Sequence, residues 1–218
     1  MEGRILDISP VISEAIAVWP GDVPYSREIT LAIARGDNID LSAVRTTLHL
    51  GAHADAHSHY TAGGVAIGER ALEPYVGACQ VIEVDVPREE RIRPQHLRVP
   101  IAAPRVLLRT DSFPDANKFT TDFNSLSPEL VDFLHARGVV LVGIDTPSVD
   151  PFDDKILGSH QALARHGMAN LEGLVLDAID EGAYELIALP LRIVGGDASP
   201  VRAVLRVLSG DTTTLPRG

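Results

Sequence analysis

The chain has 218 residues, of which 45% are hydrophobic but only 5% aromatic, so the core must be built mainly from aliphatic side chains. A formal net charge of −11 argues against nucleic acids and anionic membrane surfaces as partners. The single cysteine, Cys79, excludes an internal disulfide, and no apolar run approaches the ~18 residues of a membrane-spanning helix. Because the first residues also lack the apolar segment of a signal peptide, we expect a cytoplasmic protein.

The amino-terminal half of the chain is predicted to be mostly strand and loop. Strands are predicted at residues 4–12, 44–50, 78–86 and 105–110, and a short helix at residues 91–98. A turn formed by Trp19-Pro20-Gly21-Asp22 carries the only tryptophan. A lone tryptophan is commonly a core residue, but one beside a Pro-Gly turn can instead line a pocket for an aromatic ligand.

The carboxyl-terminal half alternates helices with strands. Ser127 as N-cap and Pro128 at the first helical position predict a helix that runs to residue 137 and ends before Gly138. A second helix is predicted at residues 156–166, and strands at 139–144, 184–191 and 199–208, the first of them buried on both faces. Without repeats or linkers, residues 1–218 are predicted to form a single mixed α/β domain.

Four of the eight histidines lie in the short stretch from His49 to His59, together with Asp55. Only small residues and one leucine separate them, so the stretch contributes little to a hydrophobic core. Imidazole and carboxylate groups are the ligands of zinc-type metal sites, which makes this stretch the candidate for half of a metal centre. Within it, His57 is the least certain ligand, and the isolated His96 and His135 are expected to be ordinary structural histidines.

The spacing in this stretch requires a bend of the chain. In a straight strand the four residues from His49 to His53 would span roughly 13 Å, too far for both to bind one metal through bonds of about 2 Å. A regular helix would turn Asp55 and His59 to another side. Gly51 permits a bend at the least steric cost. We therefore predict a strand that ends near residue 48, followed by a tight loop that carries the ligands.

The second half of the centre must come from elsewhere in the chain. Glu172 lies in an otherwise apolar segment, where a buried carboxylate is costly unless it is paired or bound to a metal. His160 lies on the predicted helix that ends beside that segment. Asp145 and Asp150 are in loops, where such residues commonly form turns with solvated side chains. The prediction for the second half is therefore His160 and Glu172.

Motifs along nearly the whole chain carry a resemblance to a known family. They are Asp7-Ile8-Ser9, Trp19-Pro20-Gly21-Asp22, the stretch from His49 to His59, Leu107-Leu108-Arg109-Thr110, Gly143-Ile144-Asp145-Thr146-Pro147-Ser148, Asp154-Lys155, Leu171-Glu172, residues 184–191 and residues 199–204. With them the chain resembles the bacterial kynurenine formamidases (arylformamidases) of the metal-dependent cyclase-type hydrolase superfamily. The spacing of His49, His53, Asp55 and His59 is the mark of the superfamily.

The resemblance implies a β/β/α barrel-like core, a homodimer, and two zinc ions per subunit, with manganese as the alternative metal. By the same resemblance the metal ligands are His49 and His53 for one ion, His160 for the other, and Asp55 and Glu172 for both. His59 would be the general acid/base, and Trp19 would line the pocket for the aromatic substrate. One departure is His57, which occupies the position where the family usually has proline, so that an added imidazole could compete with a native ligand.

The implied reaction is hydrolysis of N-formyl-L-kynurenine, a small molecule, to L-kynurenine and formate. A bound zinc lowers the pKa of water from 15.7 to about 7, and an imidazole can protonate the departing aniline nitrogen. Two alternatives remain at this point. One is ring opening of an isatin-type lactam by the same metal motif, and the other is a structural metal in a non-catalytic binding module. The second is disfavoured because structural zinc sites are closed and commonly use cysteine.

Overall fold

A nine-stranded mixed sheet organises residues 3–208, the part of the chain that the computed structural model describes. The strands in chain order are β1 (Ile5–Asp7), β2 (Ser26–Leu31), β3 (Leu41–Arg45), β4 (His53–Asp55), β5 (Val76–Glu83), β6 (Arg91–Ile92), β7 (Arg105–Arg109), β8 (Ser125–Leu126), β9 (Leu141–Ile144), β10 (Ala169–Glu172), β11 (Gly182–Ile187), β12 (Ala198–Pro200) and β13 (Val204–Val207). The α-helices within these residues are α1 (Pro128–His135) and α2 (Gly158–His166). Short 3₁₀ turns lie at Ile33–Arg35, His57–His59, Ile67–Glu69, Glu73–Tyr75 and Pro94–His96.

The large sheet has the order β1-β13-β11-β5-β7-β9-β10-β4-β12. Its centre, from β5 through β7 and β9 to β10, is parallel, and the remaining pairs are antiparallel. Strands β2 and β3 form a separate hairpin, and β6 pairs with β8.

The sheet curls so that its two ends approach each other. Strand β12 lies at one edge and β13 lies beside β1 at the other, yet only residues 201–203 separate them in the chain. So short a segment spans roughly 10–13 Å. Within it Val201 N donates to Ala52 O at 2.9 Å, and Ala203 O accepts from Ile8 N at 3.0 Å. The result is a curled half-barrel, which confirms the expected mixed α/β, barrel-like fold.

Two hydrophobic clusters cover the two faces of the sheet. Along β7, Val106 and Leu108 belong to the cluster that includes α1 and α2, whereas Leu107 belongs to the other cluster. This alternation follows from the two-residue period of a strand. It also explains why β9 is a continuous run of buried residues, as predicted. No helix among residues 3–208 is long and apolar enough to cross a membrane.

Several predicted elements are confirmed, with shorter bounds. Helix α1 begins where the capping signal placed it, since the Ser127 side chain accepts a hydrogen bond from Leu130 N at 3.1 Å. It ends at His135, and α2 begins at Gly158, two residues later than predicted. The strands predicted at residues 4–12, 78–86, 105–110, 139–144 and 184–191 correspond to β1, β5, β7, β9 and β11.

Three predictions about elements are wrong. The helix predicted at residues 91–98 is instead β6 and a 3₁₀ turn, because Pro94 holds Arg93 in an extended conformation, with φ −115° and ψ 163°. The strand predicted at 199–208 is divided into β12 and β13 by the crossing at 201–203. The strand predicted at 44–50 ends at Arg45 as β3, and the supposed ligand loop contains β4.

Candidate metal centre

Strand β4 is the element that positions the histidine stretch. It lies between β10 and β12 in antiparallel register, with His53 opposite Glu172. Ala54 packs into the cluster on the face away from the helices, so its neighbours His53 and Asp55 point to the helical face. Helix α2 packs on that same face and adds His160. Along β4, alanine therefore faces the hydrophobic core, whereas histidine and aspartate face the candidate metal centre.

The bend predicted at Gly51 is present. Gly51 has φ +55°, and a Cβ there would meet Pro10 Cγ at 2.9 Å. A side chain is therefore disfavoured both by the backbone conformation and by steric contact. On the amino-terminal side of the bend, His49 lies close to β4, and its Nδ1 is 3.0 Å from Asp55 Oδ1. After β4 the 3₁₀ turn brings the His59 ring to 4.2 Å from the His49 ring, centroid to centroid.

Asp55 and Glu172 divide their oxygens between two histidines. Asp55 Oδ1 and Glu172 Oε2 lie 3.5 and 3.3 Å from His53 Nε2. Asp55 Oδ2 and Glu172 Oε1 lie 3.4 and 3.3 Å from His160 Nε2. Two donor groups contain Asp55, one with His49 and His53 and one with His160 and Glu172, and in each the ligand atoms lie within 4.8 Å of one another.

These donors fit divalent metal ions. His53 Nε2 and Asp55 Oδ1 are buried and make no hydrogen bond of good geometry, although such atoms are normally paired; the nitrogen near Asp55 Oδ1, His49 Nδ1 at 3.0 Å, is itself a candidate metal ligand. Imidazole nitrogens and carboxylate oxygens are also the ligands that zinc prefers when cysteine is absent. The buried atoms therefore match the positions that a metal would satisfy.

The electrostatics of the cluster favour cations. Burial acts to lower the pKa of His49, but Asp55 and Asp197 outweigh it and raise that pKa to about 9. Burial likewise opposes protonation of His160, yet Asp150, Asp55 and Glu172 raise its pKa well above the usual value. Two carboxylates on one buried site stabilise positive charge on their neighbours. A bound metal ion would supply that charge.

In each of the three predicted histidine ligands, the ring nitrogen that faces away from the donor group contacts an oxygen atom of another residue. Asp197 Oδ2 lies 3.2 Å from His49 Nε2, Gly51 O lies 2.8 Å from His53 Nδ1, and Asp150 Oδ2 lies 2.8 Å from His160 Nδ1. Such partners fix the orientation and tautomer of metal-binding histidines. The arrangement is therefore that of an oriented ligand set.

Asp145 and Asp150, expected to be solvated turn residues, are buried. Asp150 is fully inaccessible and accepts backbone N–H groups of Ser159 and His160 at the start of α2, besides an ion pair with Arg91. Asp145 accepts from Thr110 N and Oγ1, and its burial raises its pKa. The backbone N–H groups at the helix start explain why Asp150 is stable away from water.

Sequence reasoning also missed Asn170 and Asp197. Asn170 Nδ2 donates to Asp55 Oδ2 at 2.7 Å and to Glu172 Oε1 at 3.3 Å. Its spacing of two from Glu172 on a strand was the available signal. The sequence contains no comparable signal for Asp197, because the curl of the sheet brings this residue to the histidines from a distant part of the chain.

His57 points away from the donor groups. Its Nε2 lies 2.9 Å from Met168 O, and the Arg70 guanidinium lies 3.1 Å from its Nδ1. These contacts hold the ring outside the donor groups. His96 and His135 also lie away from the donor groups. His96 Nδ1 accepts a hydrogen bond from Arg93 N, and the His135 ring stacks on the ring of His166.

A cavity of about 360 Å³ opens onto the metal centre. Of the predicted residues, His49, His53, His59, His160 and Glu172 line it, and Asp55 lies beneath them. Trp19 lines it too. Its ring centroid lies 5.4 Å from that of Phe119 and 5.0 Å from that of Phe152, so an aromatic wall stands beside the donors.

Comparison with known proteins agrees with this geometry. The family described as "Putative cyclase" matches residues 6–151. A kynurenine formamidase of Bordetella pertussis is 47% identical over 208 residues, covering 94% of this chain and 99% of the relative. A solved structure described as a potential metal-dependent hydrolase with cyclase activity superimposes with a TM-score of 0.78 at 25% identity, over 93% of this chain and 97% of that one. Isatin hydrolase A from Labrenzia aggregata, bound to benzyl benzoate, gives 0.78 at 24% identity over 94% of both chains.

Proposed function

The chain belongs to the cyclase family of metal-dependent hydrolases, among the homologues of kynurenine formamidase, and we propose that it hydrolyses N-formyl-L-kynurenine to L-kynurenine and formate. The observation that carries the proposal is that the Asp55 and Glu172 carboxylates both lie between His53 and His160 at the base of an aromatic-walled cavity. We take residues 1–218 as one domain and a cytoplasmic location as part of the same proposal.

For the metal we propose two zinc ions per subunit, with manganese as the alternative. His49 and His53 would hold one ion and His160 the other, and Asp55 and Glu172 would contact both. In support, Asp55 belongs to both donor groups, and Glu172, a member of the second, also lies 3.3 Å from His53 Nε2. Zinc, when bound, supplies a Lewis acid that lowers the pKa of water and polarises a carbonyl oxygen. The second-nitrogen contacts of the three histidines keep a lone pair of each ring directed into the centre.

His59 is the proposed general acid/base. It lines the cavity beside the donor groups, with 37% of its side chain accessible, so a substrate can reach it. Burial lowers its pKa, which keeps the imidazole neutral at pH 7 and able to accept a proton. Returning that proton to the aniline nitrogen makes the amine a good leaving group, and no nucleophilic serine or cysteine is needed. Cys79 is buried, and burial raises its pKa to about 12.

The cavity wall supplies the features of the substrate site. Trp19 and Phe152 would pack against the aryl ring of the substrate. Among residues 3–208, Lys155 is the only lysine or arginine that lines the cavity, whereas several aspartates do. A free amino acid carries both an ammonium and a carboxylate, and Lys155 is the group that suits the carboxylate.

Isatin ring opening remains the rival activity for the same centre. Its support is a shared fold, whereas the likeness to the kynurenine formamidase extends through the sequence of nearly the whole chain. Incubating purified metal-loaded protein with N-formyl-L-kynurenine and with isatin, in parallel, distinguishes the two. We expect kynurenine release and little isatin opening; turnover of isatin alone would overturn the proposal.

A homodimer is the proposed assembly. The hairpin of β2 and β3 stands apart from the large sheet, and Ile29 and Val44 on it are 51% and 62% exposed. The register of the hairpin places both side chains on one face together with Arg27 and Ser42, and we take these two exposed apolar side chains as the contacts with a second copy of this chain. Sedimentation should give a dimer for the wild type and a monomer for Ile29→Asp with Val44→Asp; a wild-type monomer would contradict the assembly.

A further inference from the structure

Asp197 lies between two histidines that have different proposed roles. Its Oδ2 is 3.2 Å from Nε2 of His49 and 3.6 Å from Nδ1 of His59. The backbone beside it is fixed, since Asp197 O accepts from Ala56 N at 2.8 Å and Gly196 O accepts from Ile67 N at 2.8 Å. A single carboxylate on a fixed backbone therefore faces a nitrogen of His49, the candidate metal ligand, and a nitrogen of His59, the candidate acid/base.

An ionised carboxylate can only accept hydrogen bonds, so it stabilises the imidazole tautomer whose N–H points to it. For His49 this favours N–H on Nε2, so that Nδ1, which lies 3.0 Å from Asp55 Oδ1, is the nitrogen that would give its lone pair to a metal ion once the ion replaces the proton there. For His59 it favours N–H on Nδ1 and leaves Nε2 able to exchange a proton with substrate. The 3.6 Å contact is longer than a hydrogen bond, and such contacts commonly tighten once substrate is bound.

We propose that Asp197 is a positioning residue that sets the tautomers of His49 and His59 together. One carboxylate would thereby couple metal binding at His49 to proton transfer at His59. The part that concerns His59 rests on the proposed function, whereas the part that concerns His49 rests on metal binding alone.

The rival role for Asp197 is that of a metal ligand, since it forms a donor group with His49 and His59. Two observations favour positioning. Asp197 faces the ring nitrogen of His49 opposite the one that faces Asp55, so it lies outside the centre that Asp55 and Glu172 share. Its side chain is also 50% exposed, against 1% for Asp55 and 4% for Glu172.

The first test compares Asp197→Asn with a matched control, Asp85→Asn, which removes an exposed carboxylate paired with Arg98. Zinc is titrated into each apoprotein in competition with a chromogenic chelator, and kcat and KM are measured on the reloaded proteins. Loss of such a partner typically weakens metal affinity or activity about 10- to 100-fold. We expect Asp197→Asn to weaken zinc binding at one site and to lower kcat, each by about 10- to 100-fold. Its KM should stay within about twofold of the wild-type value. Asp85→Asn should match the wild type in all three quantities. Unchanged zinc affinity and kcat in Asp197→Asn would overturn the proposal, as would loss of a whole zinc equivalent at saturating zinc, which makes Asp197 a ligand.

The second test reads the tautomer of His59 directly, without turnover. Nitrogen NMR of the ¹⁵N-histidine apoprotein, with the His59 signals assigned from His59→Gln, should show a protonated Nδ1 in the wild type and the opposite tautomer in Asp197→Ala. The same tautomer in both proteins would overturn the proposal. If the wild type fails to release kynurenine, the proposed function fails, and the zinc titration and the NMR spectrum still decide the role of Asp197.

Discussion

Asp55 and Glu172 lie on adjacent antiparallel strands, and each directs one carboxylate oxygen to His53 and the other to His160. Asn170 donates to both carboxylates, which fixes their orientation and offsets part of their mutual repulsion. Two carboxylates so close and so deeply buried are costly unless positive charge lies between their oxygens. The pair is therefore the part of the structure that argues most directly for a shared metal centre.

Removing one bridging carboxylate should disassemble the centre. Because the oxygens of Asp55 belong to both donor groups, we expect Asp55→Ala to bind fewer than two metal ions per chain and to lose turnover. Metal analysis of the purified protein by mass spectrometry tests this, with Asp85→Ala as the control for a lost surface carboxylate. Two retained metal ions in Asp55→Ala would contradict the bridging role.

Removing the acid/base should separate metal binding from catalysis. We expect His59→Ala to keep its metal ions but to lose about 10²- to 10⁴-fold in kcat, the usual contribution of a positioned proton-transfer group. The measurement pairs metal analysis with steady-state kinetics on the same sample. If metal content falls with activity, His59 belongs to the ligand set instead.

Restoring the usual family residue at position 57 should leave the metal centre intact. The His57 ring contacts Met168 O and Arg70 and lies outside both donor groups, so we expect His57→Pro to bind the same number of metal ions as the wild type. Its position at the start of a 3₁₀ turn is one where proline is tolerated. A loss of metal would show that His57 takes part in binding.

Lys155 should determine affinity for the amino-acid group of the substrate. We expect Lys155→Met to raise KM for N-formyl-L-kynurenine about tenfold, because a charge-assisted hydrogen bond contributes roughly 1.5 kcal/mol or more. The KM for 2-formamidoacetophenone, which keeps the formamide but lacks the amino-acid group, should not change. Lys118→Met alters the only other lysine and serves as the control. Equal effects on both substrates would remove Lys155 from the recognition of the carboxylate.

The sequence predicts the elements and residues whose signals are local. The Ser127 cap, the apolar run of β9 and the bend at Gly51 depend on neighbouring residues, and each is found in the structure. The helix predicted at residues 91–98 is absent because Pro94 favours an extended conformation for the residue before it, Arg93.

Residues that depend on long-range contacts were not predictable in the same way. Asp150 and Asp197 were missed because their roles arise from contacts with His160 and His49, which the fold brings together from distant parts of the chain. An aspartate in a loop has the same local pattern whether it is solvated or holds a histidine.

The most direct test of the account is kynurenine release from N-formyl-L-kynurenine, followed by absorbance, before and after removal of metal with a chelator. We expect turnover by the metal-loaded protein, its loss on chelation and its return when zinc is added. Absence of turnover in a fully metal-loaded sample, or turnover that survives complete removal of metal, would contradict it.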